Sequence, residues 1–467
     1  MTTLAIDLGT SAIKFLRVDS NLHEISLDRV PVSGLDVEFW LDALASNLIT
    51  HGDGAQIRRI AITGQMHGLV TLETTGYDEG IPWTDQRGST MLPWLESHLD
   101  PAISQRIGGP LASGFQAVSL AWIRQHQPGR WRQIRKVMLP KDALIHALTG
   151  KHVTDPSDAV GTGMFDTGSG TWNPHVLDII GIPGDWLPHI VPSGTNVGPV
   201  HPDIATRLGL NPQACVIIAG GDAPVAAVGG GVTQPGQALI MLSSGAQLIL
   251  PTMSREPDSA QRWYTWPAAM PSGSEAAPFL QVGTLLNAGL AITWLQDILA
   301  TPYTITPEPT NLIALPHLIG ERAPLRDPDA RGAILGIGPD TIPGDIHRAL
   351  LEGIAFSLRH ALEVMCENTA LPFTIRLGGG GAQDDTWQAI ITNVLGIPTA
   401  RIATTELSAW GAAGIANRQP APTQLTQEMQ PDSQLREKYD VRYHMYREAL
   451  EAFTPISHRL ARLDVSG

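Results

Sequence analysis

Asp222 is the carboxylate with the clearest chemical setting. It closes a run in which Val216, Ile217 and Ile218 stop abruptly at Gly220-Gly221. Such a run reads as a short buried strand followed by a glycine turn, which puts one carboxylate at the carboxyl end of a sheet, where α/β proteins bind their ligands. Asp222 there is either a catalytic carboxylate or the N-cap of the helix that Pro224 opens. Two polar turns recur at the start of each half of the chain: Asp7-Leu8-Gly9-Thr10-Ser11 and Ser243-Ser244-Gly245-Ala246. Each presents backbone N–H groups and hydroxyls with little bulk, which suits a polyphosphate, although each is also what an ordinary hairpin needs. Met66-His67 follows an apolar strand, where a histidine serves as a ligand or as a hydrogen-bonded structural residue. Trp83, Asp85 and Arg87 lie within five residues. They can cover a sugar's C–H face and bind its hydroxyls, or form a surface turn with its own ion pair.

These residues need elements to hold them. Leu4 to Asp19 and Gln237 to Thr252 both read as β-hairpins, which points to an internal duplication. Glu38 to Ile49 reads as an amphipathic helix and Ile60-Ala61-Ile62 as a strand. Arg124 to Lys136, with five basic residues around Trp131, reads as a solvated face. Asp345 to Met365 reads as an amphipathic helix with Glu352 and His360 off its apolar stripe. Ile375-Arg376-Leu377 leads into Gly378–Gly381 and then a helix from about Asp384 to Leu395. Four glycines between strand and helix let a flat or charged ligand approach the backbone. Neither dinucleotide nor P-loop spacing occurs, and no Cys or His cluster has metal-ligand spacing.

A chain of 467 residues is long enough for two cores, divided as 1–232 and 233–467. The net charge of −14 argues against nucleic acid or an anionic membrane as partner. Two cysteines, Cys215 and Cys366, exclude a disulfide framework and fit a cytoplasmic setting. The opening Thr2–Asp7 carries an acid where a signal peptide needs hydrocarbon, and no apolar run reaches the ~18 residues of a membrane span. Symmetry statistics make a homodimer the default assembly.

In order along the chain, Ile6–Ser11, Gly64–Gly68, Trp83–Arg87, Leu139–Asp142, Gly220–Ala223, Gly320–Pro324 and Gly378–Ala382 resemble the FGGY carbohydrate kinases, and among them the xylulokinase group. Gly332–Ile337 with Leu351–Ala355 matches the family's signature region. The resemblance implies two ribonuclease-H-like domains of the actin-like ATPase fold, α/β in class, with sugar and ATP meeting in the cleft between them. It implies Asp222 as the base and Asp7 as a holder of Mg²⁺. Met66, His67, Trp83, Asp85 and Arg87 would line the sugar site, Thr10, Ser11, Ser244 and Gly245 the phosphates, and Gly379, Gly380 and Ala382 the adenosine. The implied reaction is phosphorylation of D-xylulose to D-xylulose 5-phosphate. Ribulose or sedoheptulose kinases, and a non-catalytic actin-like ATP-binding protein, are the alternatives. Thr84 stands where the family usually has Asn or Gln, and Gln383-Asp384-Asp385 puts carboxylates after the glycine loop. Gly229–Gly231 is expected to serve as a hinge.

Overall fold

A computed structural model describes residues 2–271, 273–299 and 303–463, so the outer limits of the two expected domains, residues 1 and 467, lie outside the described residues. The innermost strands are near-continuous apolar runs because both their faces are covered: Leu4–Ile6, Ile60–Ile62 and Val216–Ala219 are all buried. They belong to a six-stranded sheet ordered Glu24–Pro31, Ala12–Val18, Thr2–Leu8, Ile57–Gly64, Cys215–Gly221, Asn196–Pro199. A second sheet has seven strands, ordered Tyr264–Pro267, Phe279–Leu285, Ala246–Thr252, Gln237–Leu242, Thr374–Gly378, Thr399–Ile402, Leu425–Met429. The two share one plan. An antiparallel meander leads in to Thr2–Leu8 in one and Gln237–Leu242 in the other, and two parallel strands continue from each. Both expected hairpins are present, and the repeat in topology matches the repeat in sequence.

Helix Val37–His51 starts where Asp36 accepts from the amides of Glu38 and Phe39, and stops at Gly52 in the left-handed region. Helix Pro343–Met365 forms as expected but is buried well beyond one stripe. Glu352 and His360 are both buried, because helix Ser433–Ala461 covers the far side and pairs Tyr439 with Arg348. The basic stretch is only partly a solvated face. Arg124, Arg132 and Arg135 are exposed, whereas Arg130 is tied to Glu73 at 2.9 Å and Asp78 at 2.7 Å.

Helix Leu407–Asn417 belongs to the second half in sequence but packs on the first sheet. Ala409, Ala412, Ala413 and Ile415 meet Ala5, Ala61 and Ala219 there. It also crosses helix Asp222–Gly229 so closely that a Cβ on Gly229 would strike the carbonyl of Leu407, and one on Gly411 the carbonyl of Val225. Gly229, the first of the three glycines expected to act as a hinge, is therefore a close-approach residue in this helix crossing.

Candidate active site

Three parallel strands end side by side. Leu8 pairs with Gly64 and Gly64 with Gly221, so Asp7, Met66-His67 and Asp222 issue from adjacent strand ends. Hairpin register puts Lys14 directly opposite Asp7, and its Nζ lies 2.8 Å from Asp7 Oδ2. The other oxygen of Asp7 is buried with no hydrogen-bond partner. Lys14 also lies 3.7 Å from Glu406, which Arg29 holds at 2.7 Å. Burial works against the Lys14 charge, but Asp7, Glu406 and Asp222 outweigh it and raise its pKa. The sequence reading did not single out Lys14 or Glu406. Counting outward from a four-residue turn, Gly9–Ala12, would have paired Asp7 with Lys14, whereas nothing local marks Glu406.

Asp222 opens helix Asp222–Gly229 and is half-buried. Its Oδ1 accepts from its neighbour's amide at Ala223, 2.8 Å away. Gly221, not Asp222, occupies the N-cap position, so the capping alternative does not describe it. Burial first, and the negative charge of Asp7 second, push its carboxyl up to about 7, against the amides of Ala223 and Met66 and the charge of Lys14.

His67 sits at φ +73°, stacked on Phe115 with centroids 4.3 Å apart and edge-on to Trp266. Its Nδ1 donates to the carbonyl of Gly161 at 2.7 Å, which leaves Nε2 an acceptor. Burial, with a smaller contribution from the charge of Arg322, lowers its pKa to about 4 despite that bond, so the ring is neutral. Met66 is buried against Gly221, where a Cβ would crowd its side chain. Trp83, 41% exposed, donates from Nε1 to Thr10 Oγ1 at 2.9 Å and so ties the Trp83–Arg87 segment to the first polar turn. Asp85 and Arg87 form the local ion pair, 2.7 Å long, and Arg87 lies over the ring of Trp122.

Behind the strand ends lies a buried ionic cluster. Lys141 Nζ is 2.6 Å from Asp142, 3.1 Å from Asp155 and 2.9 Å from Asp158, with all four side chains fully buried. Ser157 connects it to the site, donating to Asp155 and accepting from the amide of Gly221.

On the other side, a cavity of about 840 Å³ is lined by Ser243, Ser244, Gly289, Gly380, Gly381 and Trp387, among others. Of the expected nucleotide residues, Ser244 and Gly380 face it. Gly379, at φ +85°, packs on the carbonyl of Leu242, Gly245 packs on that of Leu285, and Ala382 is buried. Thr10 and Ser11 lie on the exposed first turn. The added carboxylates are engaged: Asp384 accepts from the amide of Trp387, and Asp385 pairs with Arg401 at 2.7 Å.

Residues 2–229 match the N-terminal domain, and residues 252–419 the C-terminal domain, of the FGGY family of carbohydrate kinases. The chain belongs to that family. A xylulose kinase of Streptomyces rubiginosus is 30% identical over 434 residues, 88% of this chain and 87% of that one. A xylulose kinase of Escherichia coli (strain K12) is 27% identical over 494 residues, covering 98% of this chain and 99% of its own. The ligand-bound xylulose kinase from Lactobacillus acidophilus superposes with a TM-score of 0.89 at 22% identity, over 98% of this chain and 99% of the other, which establishes the shared actin-like fold. As a carbohydrate kinase the chain uses a sugar and ATP. Among the described residues no helix is long and apolar enough to cross a membrane, and no group of three or more metal-binding side chains occurs.

Proposed function

We propose that this FGGY kinase transfers the γ-phosphoryl group of ATP to the terminal hydroxyl of D-xylulose, giving D-xylulose 5-phosphate, with Asp222 as the base. The observation that carries the reading is Asp222 itself, at a strand end beside Asp7 and Lys14, with a carboxyl near 7. Phosphoryl transfer passes through a loose transition state in which the alcohol proton moves late, so alignment matters most and a base of modest strength suffices. The relatives in Streptomyces rubiginosus and Escherichia coli, both xylulose kinases, support the choice of sugar.

In this reading His67 Nε2 accepts from a sugar hydroxyl, Met66 forms the apolar floor, and Trp83 covers the C–H face. Asp85 and Arg87 offer hydroxyl partners from within their ion pair. Thr10, Ser11, Ser244 and Gly245 face the phosphates, with Lys14 behind Asp7, and Gly379, Gly380 and Ala382 shape the adenosine end. Residues 1–232 form the sugar domain and 233–467 the nucleotide domain. The unpartnered Asp7 oxygen fits hydrated Mg²⁺, which takes one or two carboxylates and keeps several waters. When bound with ATP, the ion neutralises phosphate charge. A cytoplasmic setting agrees with two free cysteines, and a homodimer is the default assembly, to be read by sedimentation.

The test is ADP release with MgATP across a panel of ketoses and polyols, wild type beside Asp222→Ala. A strong D-xylulose signal that disappears in the variant is expected. Stimulation by ribulose or sedoheptulose alone would move the assignment to that sugar, and none by any sugar would overturn it.

A further inference from the structure

Glu321 takes no part in the reaction outlined above, yet its fully buried carboxylate is among the most heavily engaged in the chain. Oε1 accepts from the amides of Leu286 at 2.6 Å and Arg322 at 2.9 Å. Oε2 faces Asn287 Nδ2 at 3.2 Å and His317 Nδ1 at 3.3 Å. Acting as an acceptor, the carboxylate sets the direction of the bonds beyond it. His317 donates from Nδ1, so its Nε2 accepts from the hydroxyl of Tyr446, which in turn accepts from Ser357. The chain runs from Ser357 on helix Pro343–Met365, through Tyr446 on helix Ser433–Ala461 and then His317, to one loop.

That loop, Leu286–Ala288, joins strand Phe279–Leu285 to helix Gly289–Leu299 and underlies the second polar turn. The amides of Ala288 and Leu290 both donate to the carbonyl of Ser244, at 3.1 and 2.9 Å, and that of Gly289 to Ser243 at 2.9 Å. Ser243, Ser244, Gly289 and Leu290 line the 840 Å³ cavity. Asn287 locks the loop from its other side, accepting from Leu318 and donating to the carbonyl of Gly320.

We propose that Glu321 is a positioning residue for the nucleotide: its carboxylate sets the Leu286–Ala288 loop and, through it, the Ser243–Gly245 turn. This rests on the reading of that turn as phosphate-facing. A buried acceptor lost from two amides costs enough to release the loop, while Met66, His67 and Trp83, in the other half of the chain, keep their supports.

Calorimetry with MgADP and, separately, with D-xylulose tests it on wild type, Glu321→Ala and Glu321→Gln. The alanine variant is expected to bind MgADP about tenfold or more weakly while D-xylulose binding stays near wild type. Gln keeps an acceptor for both amides; His317 can answer its NH2 by changing tautomer, and Asn287, losing that contact, keeps its bond to the Gly320 carbonyl, so Gln should recover a large part of the nucleotide affinity. MgADP affinity within twofold of wild type in a folded alanine variant, or equal weakening of both ligands, overturns the proposal. Should the alanine variant not fold, Asn287→Ala carries the same comparison, selective loss of MgADP supporting the proposal and unchanged affinity overturning it. A wild type that binds MgADP but phosphorylates no ketose removes the proposed substrate and leaves this comparison standing. A wild type that does not bind MgADP removes the turn's assignment and this inference with it.

Discussion

If Asp222 is the base proposed above, the pH dependence of the reaction becomes a contest between burial and charge. Its carboxyl is raised to about 7 and as a base would have to be ionised, so kcat/KM for the sugar should fall about tenfold per pH unit below that value and level off above it. The charge of Lys14 favours the ionised form, so Lys14→Met should move the acidic limb to higher pH. Asp222→Asn should lose at least ~10²-fold in kcat while binding sugar normally, and near-normal turnover would remove it from the chemistry. The same raised carboxyl costs folding stability as pH climbs from the unfolded carboxylate range toward 7, since the native state then holds a proton the unfolded chain releases. Asp222→Asn should therefore unfold at a higher temperature than wild type at about pH 8. Asp222 was legible because a β-branched run and two glycines expose it on their own. Lys14 was not, because its meaning lies in a cross-strand partner. At His67 the structural reading describes the ring, hydrogen-bonded and stacked within the fold, and that anchoring leaves Nε2 unprotonated, as the proposed sugar contact requires.

The ionic cluster shows what an element costs and what it holds. Lys141 faces three carboxylates without solvent, and burial, with Asp142 and Asp155 adding to it, raises Asp158 well above the ordinary carboxylate range despite Lys141. A protonated Asp158 is mimicked by asparagine. Asp158→Asn should raise the unfolding midpoint at about pH 8, with the gain shrinking toward ~4, where the unfolded carboxyl is protonated as well. A lower midpoint at alkaline pH would show that Asp158 is needed as an anion. The helix crossing is less forgiving. Gly411→Ala should cost roughly 1–3 kcal/mol in denaturant unfolding, because the added methyl meets a backbone carbonyl that cannot yield. Periodicity located helix Pro343–Met365 correctly but misjudged its polar face. The helix that buries Glu352 and His360 comes much later in the chain, and no local window contains it.

Across the whole molecule, the two sheets have the same strand plan but do not have independent cores. The face of the first sheet formed by Ala5, Ala61 and Ala219 is covered by Leu407–Asn417, and Ser408 donates to the carbonyl of Asp222. Residues 1–232 expressed alone should consequently be aggregation-prone or lack fixed tertiary packing, and co-expression with 233–467 should restore solubility and activity; a well-folded isolated first half would contradict this. The sequence offered two units of similar design, and that much of the architecture was readable from the paired hairpins. It gave no sign that an alanine-rich helix of the second unit finishes the first, since small residues announce close packing without naming a partner. Synthesis meets the consequence before any enzyme exists. At 5–20 residues per second, roughly 10–40 s separate the emergence of Gly229 from that of the covering helix. Through that interval the newborn first half presents an uncapped sheet, and its survival depends on what the cell places there in the meantime.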